Sequence, residues 1–403
     1  MKKTYTIIVL QLLCVLLLQV GCAETQNGQA SREIAIEGVQ PCKKQHQTSV
    51  GSVNSQVLHI FLVENNRALS LENFDLSLAS AKKLKVMSEP KPLVYDADDG
   101  SILPEVKVKL GVEHKKAPIT FSNPVFFEKY LWRNPEIEAK GFLLDFGEKS
   151  STTFTQISGL ADWLPKWVEP EDALRSQNAI DVLLMRNNQI TTKDYILKNE
   201  LNVYEAAHIL RSLSKKDQGG KPPFSQAIEF MADSLRKKYN QKGVDIMATM
   251  ITIISGEDLI LSSSSSLERA SKALQGKRPL EEIPLMIIYP HNSSKSVDRA
   301  KNIEQLCKLT HSHYKWKGSK EASWGKLFQI WPWEQKKPSR IQALLNTASH
   351  AARGYIEISV SYQLTGVQKG KRYIISFALE LEGTKSIPSK NVPRIRFQVT
   401  IPK

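Results

Sequence analysis

The sequence predicts an α+β protein of several domains, with β-rich regions at both ends and a helical region and small α/β unit between them. Three observations support this class. The 403 residues are enough for two or three domains at roughly 100–200 residues each. Apolar residues recur at helical spacing in the middle of the chain and alternate strictly near its end. With 41% hydrophobic and 24% charged residues, the composition excludes a disordered or collagen-like chain.

The first element is a predicted secretory signal over residues 1–21. Met1-Lys2-Lys3 is basic, the apolar run Tyr5–Val20 follows, and small residues end the segment. A membrane-spanning helix needs about 20 apolar residues. Because this run is shorter and includes Gln11 and Gln19, cleavage is favoured over permanent spanning.

Gln19-Val20-Gly21-Cys22 resembles the lipobox of bacterial lipoproteins, with Gln19 in place of the usual Leu. The resemblance implies cleavage before Cys22, a lipid such as palmitate on that cysteine, and a bilayer as partner. It places the chain in the cell envelope, on the periplasmic or outer-membrane side, and Ala23 is compatible with the outer membrane. Secretion with cleavage after Ala23 and an uncleaved anchor are the alternatives.

Residues 22–52 are polar and are predicted to form a flexible tether. A β-rich domain is expected over 53–165, starting with the apolar run Val57–Val63. The acidic turn Asp96–Gly100 separates Leu93–Tyr95 from the alternating residues Val106–Val112, which predicts a hairpin.

Helical periodicity predicts a helical subdomain over 166–243. Residues 177–218 resemble the three-helix pattern of winged helix-turn-helix domains. The first helix ends near Asn187-Asn188, Thr191-Thr192 cap a second helix through Leu201, and the third opens at the capping box Asn202–Glu205. The resemblance implies a membrane-anchored DNA-binding protein as one alternative. The third helix lacks the dense Lys/Arg that phosphate contacts require, so nucleic acid is not the favoured partner. A further helix is predicted over Ser225–Tyr239.

Residues 244–318 are predicted to form a small α/β unit. It begins with the β-branched run Val244–Ile254 and a helix at Leu267–Leu274, and continues as strand Ile283–Tyr289, helix Val297–Leu309 and strand His311–Trp316. The loop after the middle strand carries His291, at a position where α/β folds often bind ligands.

The last region, 319–403, is predicted to be a helix and an antiparallel meander of three strands. The helix starts at Ser339 and ends near Gly354. Alternating apolar residues then mark strands at 356–364, 373–381 and 395–401. We expect one face of this meander to be solvated and the other to be covered by the helix.

Soft metal ligands cluster at Cys307, His311 and His313, with His291 as a fourth candidate. Zinc or copper accepts such donors, so a metal-dependent enzyme or an envelope hydrolase using the His291 loop is the catalytic alternative. Surface histidines beside a buried cysteine are the non-functional interpretation. Spacing leaves open whether Cys42 and Cys307 form a disulfide.

A Lys/Trp patch is the main predicted binding surface. Residues 295–340 contain 11 Lys/Arg and 4 Asp/Glu, a net charge of +7 within a chain total of +14. Lysine attracts phosphates, and tryptophan stacks on sugars and settles at membrane interfaces. Core aromatics with solvated lysines are the alternative interpretation. The patch comprises Trp316, Trp324, Trp331, Trp333, Lys315, Lys317, Lys326, Lys336 and Lys337.

These features predict a lipid-anchored envelope protein with a non-catalytic role in binding or assembly and without a cofactor. The expected partner is an anionic polymer, a lipid headgroup or an acidic protein. The chain contains no G-x-S-x-G, H-E-x-x-H, Walker or C-x-x-C motif, so the sequence gives catalysis no support.

Overall fold

The structure is a computed structural model of the whole chain. It describes residues 33–40, 48–64, 67–68, 84–110, 119–121, 137–148, 153–167, 179–200, 203–238, 246–254, 264–276, 282–290, 305–310, 325–353, 356–381, 387–388 and 391–403. The predicted signal and most of the predicted tether lie outside these ranges. Within the predicted tether, Ile34–Val39 is a strand paired with Asn54–Glu64, so the tether prediction is wrong for this segment.

The described residues form strands and helices in alternation. The strands are β1 (Ile34–Val39), β2 (Asn54–Glu64), β3 (Arg67–Ala68), β4 (Leu84–Val86), β5 (Leu93–Asp96), β6 (Lys107–Leu110), β7 (Ile119–Phe121), β8 (Ile137–Asp145), β9 (Ala179–Met185), β10 (Tyr195–Glu200), β11 (Ile246–Ile253), β12 (Leu285–Pro290), β13 (Lys326–Ile330), β14 (Ile356–Thr365), β15 (Arg372–Phe377), β16 (Leu379–Leu381) and β17 (Ile395–Thr400). The helices are α1 (Thr153–Trp167), α2 (Val203–Ser212), α3 (Phe224–Lys238), α4 (Ser264–Gln275) and α5 (Pro338–Arg353). Residues 305–310 are also helical. This content is the mixed α+β class predicted from the sequence.

Residues 137–353 form an α/β unit around a six-stranded sheet in the order β10-β9-β8-β11-β12-β13. Five strands are parallel, and the edge strand β10 is antiparallel to β9. Helices α1, α2 and α5 contribute to the hydrophobic core on one face of the sheet. Helices α3 and α4 and the helical residues 305–310 contribute to the core on the other face. Because both faces are covered, strands such as β12 are continuous apolar runs rather than alternating ones.

Strands from both ends of the chain form a separate β unit. In its larger sheet, β14 lies between β2 and the pair β6 and β7. In a second sheet, β15 lies between β17 and β5. Side chains from both sheets meet in one core, in which Tyr362 of β14 contacts Phe397 of β17 at a ring-centroid distance of 5.3 Å. The α/β unit is therefore inserted between β7 and β14 of a β unit that both ends build.

Strand β2 joins the two units. Leu58, Ile60 and Leu62 point into the core of the β unit, while Phe61 belongs to the core that contains α1 and α5. Burial on both faces explains why Val57–Val63 is apolar without alternation.

The predicted helical subdomain at 166–243 is partly wrong. The predicted first and second helices are strands β9 and β10, so the winged-helix pattern at 177–218 does not form. The third predicted helix is α2, and the helix predicted at 225–239 is α3. The apolar run at 179–185 fits a buried strand as well as a buried helix, and the sheet decides between them.

The predicted meander is also wrong in its pairing. Its first and third strands form, but the predicted second strand is divided into β15 and β16, which lie in different sheets. β15 pairs with β17, whereas β14 joins the other sheet beside β2. Helix α5 packs in the core of the α/β unit. The predicted hairpin at Asp96–Gly100 forms the turn, but β5 and β6 then enter different sheets. The boundaries at 165 and 318 do not separate structural units, since β8 and α1 already belong to the α/β unit and 244–318 is only part of that unit.

Candidate functional site

The carboxyl edge of the α/β sheet is the candidate functional site. The chain leaves β8 toward β9 on one side and leaves β11 toward β12 on the other, so the direction of winding reverses between β8 and β11. In open α/β sheets, ligands bind outside the carboxyl ends of the strands at this reversal. On the β9 side of the reversal, the edge is built by the loops after β8 and β9 and by the segment between α2 and α3.

A buried carboxylate lies at the tip of the central strand. Asp145, which is 2% exposed, accepts a hydrogen bond on Oδ1 from the backbone N–H of Gly147 at 3.2 Å. The Gln156 side chain donates to the carbonyl of Ile254 at 2.8 Å and so links α1 to the end of β11. These contacts fix the two neighbouring strand ends on both sides of the reversal.

The loop after β8 is joined by backbone hydrogen bonds to the segment before α3. The N–H of Gly219 donates to the carbonyl of Phe146 at 3.3 Å, and the N–H of Glu148 donates to the carbonyl of Gly220 at 3.2 Å. Gly220 has φ +50°, and a Cβ on it would lie 2.9 Å from the Cα of Asn187. Only glycine permits this close approach. The loop after β8, the loop after β9 and the segment before α3 therefore form one hydrogen-bonded layer.

Arg186 connects the other two parts of the edge. Its Nε donates to Asp194 Oδ1 at 2.9 Å, and its Nη1 donates to the backbone carbonyl of Asp217 at 2.8 Å. Burial alone raises the pKa of Asp194, but hydrogen bonds from Arg186 and Thr191 outweigh it and hold the pKa below the ordinary value. Asp194 is therefore a firmly ionised anchor for the guanidinium.

Four exposed lysines project from this layer, and none of them was among the site residues predicted from the sequence. They are Lys193, Lys215, Lys216 and Lys221. A usable signal was present, because Thr191–Asp194 and Ser214–Asp217 both place an Asp three residues after a hydroxyl residue, which is the spacing of a capping box.

Burial narrows the predicted Lys/Trp patch. Lys326 and Trp331 are 2% and 3% exposed, so they are corrected from surface contacts to interior residues. Trp333 is half-buried, and among the described members of the patch only Lys336 and Lys337 are exposed. The remaining members lie outside the described residues: Trp316, Trp324, Lys315 and Lys317.

The two described tryptophans of the Lys/Trp patch connect the α/β unit to the β unit. Trp331 and Trp333 stack with ring centroids 6.0 Å apart, and Trp333 stacks on Tyr95 at 6.1 Å. Trp331 also packs with Ala97 and with Ile374 of β15. Trp331 therefore fits the alternative interpretation of a core aromatic, because its ring packs inside the protein.

The predicted metal cluster loses its sulfur ligand. Cys307 is disulfide-bonded, so it offers no thiolate to a metal or a substrate. His291, His311 and His313 lie outside the described residues. Within the described ranges, no three His, Cys, Asp or Glu side chains come together as a metal site. In the same ranges, no helix has the length and apolar character to cross a membrane.

No protein-family model matches the chain, and no curated protein matches it. Among solved structures it is similar to von Willebrand factor type A from Catenulispora acidiphila, with a TM-score of 0.38 and 6% identity over 94% of this chain and 76% of that chain. An aerotolerance-related membrane protein from Bacteroides fragilis gives 0.32 and 13% over 53% of this chain and 98% of that chain. Proximal thread matrix protein 1 of the mussel byssus gives 0.33 and 10% over 57% and 48%. Nothing about the function of this chain follows from these likenesses.

Proposed function

We propose that this chain is an exported, lipid-anchored protein of the bacterial cell envelope with a non-catalytic role in binding or assembly. The observation that carries the proposal is the basic carboxyl edge of the α/β unit. The β unit that supports this α/β unit is built by strands from both ends of the chain. A binding surface needs rigid support and access to its partner. The hydrogen-bonded loops around Arg186 provide the rigid support, and the exposed lysines are accessible to a partner.

Export is supported by two independent features. The signal-like residues 1–21 end at Cys22, the residue that the lipobox resemblance assigns to acylation. The disulfide at Cys307 is the second feature, because disulfides persist mainly in oxidising compartments such as the bacterial envelope.

Binding is favoured over the two alternative functions. The hydrolase and metal-enzyme hypotheses relied partly on a free Cys307, whose sulfur is in a disulfide. The DNA-binding hypothesis relied on three helices at 177–218, where two of the predicted helices are strands. Of the predicted Lys/Trp patch, Lys336 and Lys337 remain available for contact with an anionic envelope component.

Metabolic labelling of the full-length chain with palmitate in a bacterial host tests the proposal. We expect label in the parent and none in Cys22→Ala, because Cys22 is the proposed acylated residue. Cys14→Ala is the matched control, since Cys14 lies within the predicted signal, and it should keep the label. An unlabelled parent, or label retained in Cys22→Ala, would show that the lipid anchor is not at this residue.

A further inference from the structure

Two neighbouring turns at the carboxyl edge are built in the same way. Thr191–Asp194 precedes β10, and Ser214–Asp217 follows α2. In each turn, the Asp Oδ2 accepts hydrogen bonds from the backbone N–H and the hydroxyl of the first residue, at 2.7 and 2.8 Å in one and 2.8 Å twice in the other. We infer that these turns present a basic docking surface for anionic phospholipid headgroups. The inference rests on the proposed function, because the lipid anchor keeps the body beside a bilayer.

The surface is preorganised before any ligand arrives. Each turn is closed by its own capping box, and Arg186 donates to both turns, to Asp194 in one and to the Asp217 carbonyl in the other. The backbone of such a surface loses little conformational entropy on binding, so more of the electrostatic attraction remains as binding free energy.

The surface carries a net positive charge. Residues 186–194 and 214–223 contain five Lys/Arg and two Asp, a net charge of +3. Both Asp side chains are occupied inside their turns. Hydrogen bonds from the Ser214 backbone and hydroxyl lower the pKa of Asp217, so it stays ionised there. Glu148 is exposed on the same edge and reduces the excess by one.

The exposed lysines have no carboxylate partner among the described residues. No ion pair there involves Lys193, Lys215, Lys216 or Lys221, although the structure forms ion pairs elsewhere, such as Lys272–Glu268 at 2.8 Å. Their ammonium groups are therefore available to an external anion.

The side chains of these segments favour a headgroup layer over an inserted contact. The exposed residues of 186–194 and 214–223 are all polar, including Asn187, Asn188 and Gln189 beside the four lysines. No exposed apolar side chain is present in these segments to enter the acyl region. Lysine is a compact, hydrated point charge without the planar fork of arginine, so it responds to charge density rather than to one ligand shape.

The anchor makes such a contact effective. The eleven residues 22–32 span at most about 40 Å when fully extended. A tether of this length converts surface binding into an intramolecular event at high effective concentration. Each lysine close to an anionic bilayer then strengthens binding about fivefold.

Vesicle co-sedimentation tests the docking surface with unacylated protein, residues 22–403 carrying Cys22→Ser. We expect binding to mixed phosphatidylcholine and phosphatidylglycerol vesicles, no binding to pure phosphatidylcholine, and loss of binding at about 1 M salt. The triple variant Lys193→Gln/Lys215→Gln/Lys216→Gln should bind about a hundredfold more weakly. Thermal unfolding of each variant checks that the fold is retained.

A control variant of equal charge makes the test specific. Lys91→Gln/Lys107→Gln/Lys369→Gln removes three exposed lysines of the β unit, outside both turns and outside the Lys/Trp patch. It should keep most of the binding. Equal losses in the two triple variants, or parent-like binding of the turn variant, would overturn the proposal.

Two further outcomes separate this inference from its premises. Because the protein is unacylated, vesicle binding does not depend on Cys22. Palmitate labelling without vesicle binding would overturn the docking surface and leave the proposed anchor intact. Binding to soluble poly-glutamate without vesicle binding would overturn the headgroup assignment and point to an anionic polymer.

Discussion

At the residue scale, Asp194 organises the loop between β9 and β10. It is 3% exposed, and each carboxylate oxygen has its own donors: Arg186 on one, and the Thr191 backbone and hydroxyl on the other. A buried carboxylate is stable only when it is paired and hydrogen-bonded in this way. These contacts keep its pKa low, which makes the stability of the protein depend on pH.

We predict that Asp194→Asn reduces the acid sensitivity of the protein. The folded-state pKa of Asp194 lies below its ordinary value of 3.8, so the stabilisation is complete above that value. It is lost as the pH falls below 3.8 toward the folded-state pKa. Urea unfolding at pH 7 should show that the Asp194→Asn variant is less stable than the parent. As the pH falls from 3.8 toward the folded-state pKa, the parent should lose more stability than the variant.

Asp162→Asn is the matched control for this experiment. Asp162 pairs with Arg211 at 2.7 Å, but the two side chains are 39% and 52% exposed, so the pair contributes little. The control should follow the parent at every pH. A parent and an Asp194→Asn variant with parallel pH profiles would contradict the prediction.

At the element scale, helices α1 and α5 cross closely on one face of the α/β sheet. Gly159 allows the approach, since a Cβ there would lie 2.5 Å from Ile341 Cβ and 2.9 Å from the carbonyl oxygen of Pro338. Beside this contact, the Trp163 indole donates to Asn346 Oδ1 at 2.6 Å. The helix pair therefore depends on one missing side chain and one specific hydrogen bond.

We predict that Gly159→Ala destabilises the protein by about 1–3 kcal/mol, the range typical of overpacked cores. This exceeds the gain of up to about 1 kcal/mol that alanine brings to a helix interior. Chemical denaturation measures the difference. Ser158→Ala on the same helix adds no atom and should change stability much less. An increase in stability for Gly159→Ala would show that the helices separate readily.

At the scale of the whole molecule, the two ends of the chain hold the α/β unit between them. The β unit combines β1–β7 with β14–β17, and Trp331 and Trp333 attach it to the segment between β13 and α5. The His350 ring lies 3.3 Å from Glu37 Oε2, which adds a polar contact between α5 and β1. Both sets of contacts join segments that are far apart in sequence.

We predict that the partner of Cys307 is Cys42. The chain has four cysteines, of which Cys14 lies in the predicted signal and Cys22 is the proposed acylation site. Peptide mapping of non-reduced protein should recover one linked pair that contains both residues. Cys42→Ala should expose Cys307 to thiol labelling, and it should lower the stability by a few kcal/mol, as expected when a long loop loses its cross-link. A free Cys307 thiol in the parent, or a link to Cys22, would contradict this assignment.

Local signals predicted many of the elements but not their partners. Capping and apolar spacing indicated the helices that became α2, α3, α4 and α5. The same signals predicted helices where β9 and β10 lie. At β9, a short apolar run that is buried on both faces lacks strand alternation. At the candidate site, the capping-box spacing of the two turns was readable from sequence. The sequence did not indicate that Arg186 connects these two turns.

The sequence by itself determined the mixed α+β class, several helices and strands, and the excess of positive charge, because these depend on composition and on residues close in the chain. Only the tertiary structure decided that the α/β unit is inserted into a β unit and that β14 pairs with β2 rather than β15. It also decided that Trp331 is interior while Lys193 and Lys215 share an exposed edge. Strand pairing and burial depend on contacts between residues that are distant in sequence, and a local sequence pattern does not indicate which of these contacts are favourable.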